Sequence, residues 1–301
     1  MSKTKRKKEA ANFLMAVIPL IGFLLFTAAP LMITIATMFV DMDGYDFSTM
    51  TWNHFENFKT VFADKKFYLS LGVTAKMVIP HLLGLLISLI ISAFLSQNYK
   101  GHKTFKAIYF IPYICSTVAV SVMWRWIFDQ NTGILNDIVL RITGEQGPQW
   151  FNQPASYTAM LLTVMTWMAP AYGIVMFTAA FGNVNRSLYE AADMDGATEL
   201  RKFFSITLPA ISPTIFYLVC AGLIAGLQTF DIPQIFNGDS WTGDAGPGNA
   251  GLTTIIYIYH KGIMFSDMPI ASVMSMVLFV IITTIMIINF KLSEKWVSYD
   301  V

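Results

Sequence analysis

The chain has 301 residues, of which 55% are hydrophobic and 13% charged, with a net charge of +1 and a mean hydropathy of +0.55. Length alone would allow two soluble domains, but this composition is that of a membrane protein, and near-zero net charge names no bulk electrostatic partner. Cys115 and Cys220 both fall inside apolar runs and read as small buried hydrophobes, not as a disulfide or a metal pair.

Residues 3 to 8 carry five Lys/Arg and precede an apolar run over about 11–40. Ala28-Ala29 resembles a signal-cleavage site, but Pro30 follows and the run continues, so a retained first span is expected. Further runs of spanning length lie at about 69–95, 105–128, 157–181, 210–230 and 269–290. A span needs about 20 largely apolar residues, so the expectation is an all-α membrane protein with six transmembrane helices, forming one transmembrane domain over 1–301. Pro80, Pro112 and Pro170 fall inside spans, where neighbouring helices or cavity water satisfy the freed carbonyls.

Orientation follows from the Lys/Arg in the connections. The N-terminus, the 96–106 loop, the 182–209 loop and the C-terminal tail hold 13, whereas the alternating loops hold five: Lys59, Lys65, Lys66, Arg141 and Lys261. Both termini and the 182–209 loop are therefore expected in the cytoplasm. Asp41-Met42-Asp43-Gly44 and Asp239 to Asp244 lack the spacing and terminal Glu of a calcium loop and read as solvated turns.

No P-loop signature occurs, and the four histidines show no helix-spaced ligand pair. Catalysis, a bound cofactor and a metal are thus not expected on this chain. Lys76 and His81 fall toward the outer part of span two. Arg125, between Trp124 and Trp126, reads as a snorkelling belt residue. Spans four and five differ from the rest. They carry Thr163, Thr166, Trp167 and Tyr172, then Gly222, Gly226, Gln228, Thr229 and Asp231. Hydroxyls, amides and flat aromatic faces suit a neutral sugar, although Thr and Gly also serve close helix packing.

Residues 186–209 form a polar island between apolar runs. Ser187 with Glu190 reads as a capping box, Gly196 as the left-handed stop, Thr198 as a second cap, and Pro209 as a terminator that pushes Leu208 toward extended backbone. A DNA-reading helix-turn-helix would need excess positive charge. Arg186, Arg201 and Lys202 are outnumbered by Glu190, Asp193, Asp195 and Glu199, so nucleic acid is not an expected partner.

Glu190-Ala191-Ala192, Asp195-Gly196-Ala197 and Ile206-Thr207-Leu208-Pro209 together closely resemble the EAA loop of ABC-importer permeases, in the version of the carbohydrate-uptake branch. Ile111-Pro112, Trp124 through Phe128 and Gly133-Ile134-Leu135-Asn136 resemble the third span and following loop of the larger maltose-type permease. The resemblance implies a cytoplasmic coupling loop at 182–209, between helices 4 and 5, with Glu190, Ala191, Ala192, Asp195 and Gly196 at the ATPase contact. It places Tyr172 at a sugar-contacting tyrosine and Gly222, Ala225, Gly226 and Thr229 at other sugar-contacting positions, where the maltose subunit carries bulkier and amide side chains. Trp167 and Gln228 complete the path candidates. Implied partners are a second, different permease, two cytosolic ATPases that hold ATP-Mg, an extracytoplasmic solute-binding protein and the lipid bilayer of a bacterial cytoplasmic membrane. Two alternatives to sugar import are the same machinery carrying another polar solute, such as a glycerol phosphodiester, and a secondary carrier. The latter would want intramembrane ion sites, and no carboxylate lies mid-span.

Overall fold

A computed structural model describes residues 13–15, 17–96, 101–238 and 243–298. The basic run at 3–8, the first residues of the first span and residues 239–242, Asp239 among them, lie outside the described residues. The chain divides into two compact units, Met1–Lys65 with Ile258–Val277, and Lys66–Tyr257 with Leu278–Val301.

In the first unit, α1 (Phe13–Thr37) leads into a short hairpin, β1 (Val40–Asp41) with β2 (Thr51–Trp52), registered Val40 to Trp52. Its turn is closed by Asp46, whose Oδ1 accepts from the Ser48 hydroxyl at 2.7 Å and from the Ser48 amide at 2.9 Å; those hydrogen bonds hold the Asp46 carboxyl below the usual carboxylate range. Helix α2 (Glu56–Ala63) packs on the hairpin through Asn57, a buried amide that donates to the Met38 and Val40 carbonyls at 3.1 and 2.9 Å. Burying that polar group is tolerable because its donors are used. Around it, Phe39 stacks on Trp52 and meets Phe55 and Phe58. The same unit contains the Thr37–Ser272 hydroxyl pair at 2.8 Å.

The second unit begins along α3 (Lys65–Leu95). Its 31 residues reach about 46 Å at 1.5 Å per residue, well beyond the roughly 30 Å hydrocarbon thickness. Next come α4 (His102–Ile114), α5 (Thr117–Ile127), α6 (Ile134–Thr143), α7 (Pro154–Met168) and α8 (Pro170–Asn183). Helices α7 and α8 run on through Pro170 as a 30-residue stretch. After α9 (Arg186–Met194) and α10 (Glu199–Lys202) come α11 (Ser212–Leu227), α12 (Asp231–Asn237), α13 (Thr254–Tyr259) and α14 (Met268–Ser293). Tyr157 anchors the core at 1% exposure. Its hydroxyl donates to Asn237 Oδ1 at 2.5 Å. Gly246 and Gly251 leave room for its ring, because a Cβ on either would come within 3 Å of it.

Among the described residues, five helices are long and apolar enough to cross a membrane, and six if the bent pair α4–α5 counts as one span. The uninterrupted span expected over 105–128 is therefore corrected: the chain turns by 96° between two shorter helices. Cys115 and Ser116 are extended, with ψ of 144° and 130°, and Pro112 has already removed one hydrogen-bond donor from the turn before them. Packing finishes the break, since α4 lies along α8 whereas α5 lies along α12. Tertiary contacts override a composition that suits one straight helix.

Candidate functional site

Two features could do work: a polar helical pair and a chamber in the second unit. The pair starts at Asn185, whose side chain accepts from the Ser187 amide at 3.1 Å. This corrects the expected capping box. Asn185 reaches the free amide first, and Glu190 turns instead to Arg186, at 3.8 Å on the exposed face. At the other end Gly196 takes φ +70°. The Gly196 amide bonds to the Asp193 carbonyl at 3.1 Å and the Ala197 amide to the Ala192 carbonyl at 2.9 Å, the paired bonds of a Schellman closure. Thr198 then caps α10 through the Arg201 amide at 3.4 Å.

Pro209 does not stop this second helix. Leu208 is helical (φ −60°, ψ −45°), because a widened turn over Phe203–Thr207 lets its amide reach back to the Phe203 carbonyl. Such an i→i+5 turn absorbs the register change that proline imposes. The break falls at Ile211 (ψ 1°), just before Pro213 opens α11.

Two bonds tie the halves of the knob together. Tyr189 and Thr207 share a 2.7 Å hydroxyl contact. Lys202, a buried ammonium, binds Asp193 at 2.7 Å on α9 and also Glu199. Hydrogen bonds from Asp193 and then Glu199 hold its pKa above the usual lysine value. What remains exposed is Glu190, Ala191, Asp195 and the large apolar side chains of Met194, Leu200 and Phe204, at 88%, 72% and 62%. Ala192 is half-buried. An apolar patch this exposed beside a carboxylate is the mark of a contact surface.

The chamber measures about 700 Å³ and is walled by α3, α4, α5, α7, α8, α11 and α12. One wall is aromatic: Tyr172 stacks on Tyr113 with centroids 5.7 Å apart at 25°, and its hydroxyl meets that of Tyr217 at 3.0 Å. The same lining brings His81, whose Nδ1 bonds to the Met77 carbonyl at 3.1 Å, together with Gln228 and Asp231. Close packing shapes it, since a Cβ on Gly173 would stand 2.4 Å from Ser88 Oγ and one on Gly84 2.4 Å from Ala169 Cβ.

Of the sequence candidates, Tyr172, Gly222, Ala225, Gln228, Thr229 and Asp231 line this chamber. Thr229 is buried, and its hydroxyl donates to the Ala225 and Gly226 carbonyls. Gly226 is buried behind the wall, where an added Cβ would meet the Val78 backbone at 2.8 Å. Trp167 lines a separate apolar chamber of about 720 Å³ and packs edge-on against Trp124 at 5.6 Å. Tyr113, Ser88 and Thr117 line the first chamber without having been singled out. No local pattern marks them; the packing of α4 along α8 brings Tyr113 over Tyr172.

Over residues 84–299 the chain matches the family described as "Binding-protein-dependent transport system inner membrane component". The chain belongs to this family. It is thus a multi-pass membrane subunit of a binding-protein-dependent importer, and ATP hydrolysis falls to a separate subunit. Relatives of this permease include the probable ABC transporter permease protein YesP of Bacillus subtilis, 32% identical over 99% of this chain and 95% of that protein. Another is the arabinooligosaccharides transport system permease protein AraP of the same organism, 29% identical over 96% and 90%. A bacterial ABC transporter involved in the import of the acidic polysaccharide alginate shares the fold of this permease, with a TM-score of 0.81 at 22% identity, covering 97% of this chain and 98% of that one.

Proposed function

We propose that this permease is one of two different membrane halves of an ATP-driven saccharide importer, and that the chamber around Tyr172 is its part of the path. The observation that carries the reading is the stacked Tyr113–Tyr172 pair lining one chamber of about 700 Å³ with Gln228 and His81. Flat rings offer a surface to the CH face of a sugar, and a few fixed amides and hydroxyls orient its OH groups. AraP, whose name concerns arabinooligosaccharides, supports the carbohydrate assignment. Residues 1–301 act as one permease domain, with both termini and the 182–209 loop in the cytoplasm, as the Lys/Arg distribution indicates. The loop between spans four and five couples it to the ATPase: Glu190 supplies a charge, Ala191 and Ala192 keep the contact face low, and Asp195-Gly196 sets the bend. Two cytosolic ATPases supply ATP-Mg, and an extracytoplasmic binding protein delivers the sugar. Gly226 serves this path through packing against α3, and Trp167 supports its wall through Trp124.

Uptake of labelled oligosaccharides by cells carrying Tyr172 variants tests the assignment. Tyr172→Phe keeps the stack and loses one hydroxyl contact, a net change of about 0.5–1.5 kcal/mol, so uptake should fall by less than about tenfold. Tyr172→Ala removes the ring as well and should bring uptake near background while assembly with the ATPase persists. Unchanged uptake of every transported sugar by Tyr172→Ala would refute the path.

A further inference from the structure

The charge of the chamber carries the assignment one step further, and this step rests on reading the chamber as the path. Asp231 is the one carboxylate among the described residues of its wall, and no lysine or arginine lines it. The nearby intramembrane cations are directed elsewhere. Lys76 is exposed on α3 and does not line the chamber. Arg125 donates to the Ile235 carbonyl at 3.4 Å and lies over the Phe151 ring at 5.8 Å. The Asp231 carboxylate is exposed, and the polar side chains that line the chamber with it are tyrosine, hydroxyl, amide and imidazole groups. We propose that Asp231 makes the chamber electrically negative and turns away anionic solutes, so that the cargo is a glycan without uronate, sulfate or phosphate groups. A carboxylate also accepts hydrogen bonds from sugar hydroxyls, so the same residue serves a neutral cargo and rejects an acidic one.

The test measures the field directly in the assembled transporter. With Cys115→Ser and Cys220→Ala as background, Gln228→Cys is treated with a cationic trimethylammonium and an anionic sulfonate methanethiosulfonate reagent. Each rate is referred to that of a small free thiol. The cationic reagent should react faster. Asp231→Asn should lower the cation-to-anion ratio by on the order of tenfold, as expected for a unit charge several ångströms away in partly screened surroundings. Asp231→Glu should retain the ratio and Asp231→Lys should reverse it, which separates charge from a general disturbance of the wall. A Gln228→Cys thiol unreachable by either reagent would overturn the path assignment, and the inference with it. A reachable thiol whose ratio ignores Asp231→Asn and Asp231→Lys would overturn the charge filter and leave the path standing. Turnover of a uronate-bearing oligosaccharide by the wild-type transporter would overturn it as well.

Discussion

The sharpest test of coupling is a substitution series at Gly196. The residue sits at φ +70°, and an ideal Cβ built on it meets nothing within 4 Å. The penalty of a side chain there is consequently conformational and not steric. Alanine in the left-handed region costs roughly 1–2 kcal/mol, which is a factor of about 5–30 in the balance between the closed and opened knob. Asparagine visits that region more readily and should cost less. Proline fixes φ near −65° and deletes the amide that bonds the Asp193 carbonyl at 3.1 Å, so closure should fail outright. The assay is titration of purified ATPase subunit onto permease in nanodiscs, with sugar-stimulated ATP hydrolysis read in parallel. Apparent affinity scales with the fraction of closed knob. Gly196→Ala should therefore weaken it by up to about 5–30-fold, Gly196→Asn by less, and Gly196→Pro should abolish coupling. Equal affinities for Gly, Ala and Pro would refute the claim that the Schellman closure presents the docking surface, and so would an Asn variant weaker than Ala.

Three further outcomes are expected. Cysteines placed at positions 50, 145 and 245 should react with impermeant reagents from outside intact cells, while those at 102 or 199 should be shielded; the reverse pattern would invert the orientation. Gly173→Ala should lower the melting temperature of the purified transporter, because overpacking against Ser88 costs about 1–3 kcal/mol and outweighs a helix-propensity gain of up to about 1 kcal/mol. Ser88→Gly in the same chain should restore it. The raised pKa of Lys202 makes its stabilisation of the knob fully present below the ordinary lysine value of 10.5 and lost as pH rises through the higher folded value. ATPase affinity should thus be flat from pH 7 to 9 where Lys202 is concerned, and Lys202→Met at pH 7 should weaken it whereas Lys202→Arg should not.

The sequence is most informative where the physics is local. Gly196 and Thr198 announce their roles because a left-handed stop and a cap depend on residues within one turn of chain, and both stand in the structure as the spacing implies. The apolar runs announce spanning helices for the same reason, since length and composition alone set that requirement. Local reading fails where two local rules compete. Asn185 and Ser187 are both good caps, and the choice between them falls to the geometry of the chain leaving α8. Pro209 is a breaker by rule, yet a widened turn five residues long accommodates it.

The chamber was only half legible, for a different reason. Its residue chemistry in spans four and five could be named from side-chain type, but which of those side chains face the cavity depends on how helices far apart in sequence rotate against each other. Gly226 and Gly222 lie one turn apart on α11 and look equivalent on paper. A Cβ on the first would meet the Val78 backbone at 2.8 Å, and one on the second nothing nearer than the Cβ of His81, at 3.5 Å. Tyr113 shows the limit most clearly: within an unbroken span it would be one more aromatic among apolar neighbours. The packing of α4 along α8 seats it on Tyr172 and gives the chamber its aromatic wall. That pairing depends on two helices far apart in sequence, so on the proposed path Tyr113→Ala should lower labelled-sugar uptake while leaving α4 packed on α8, and unchanged uptake would refute a role for the stack.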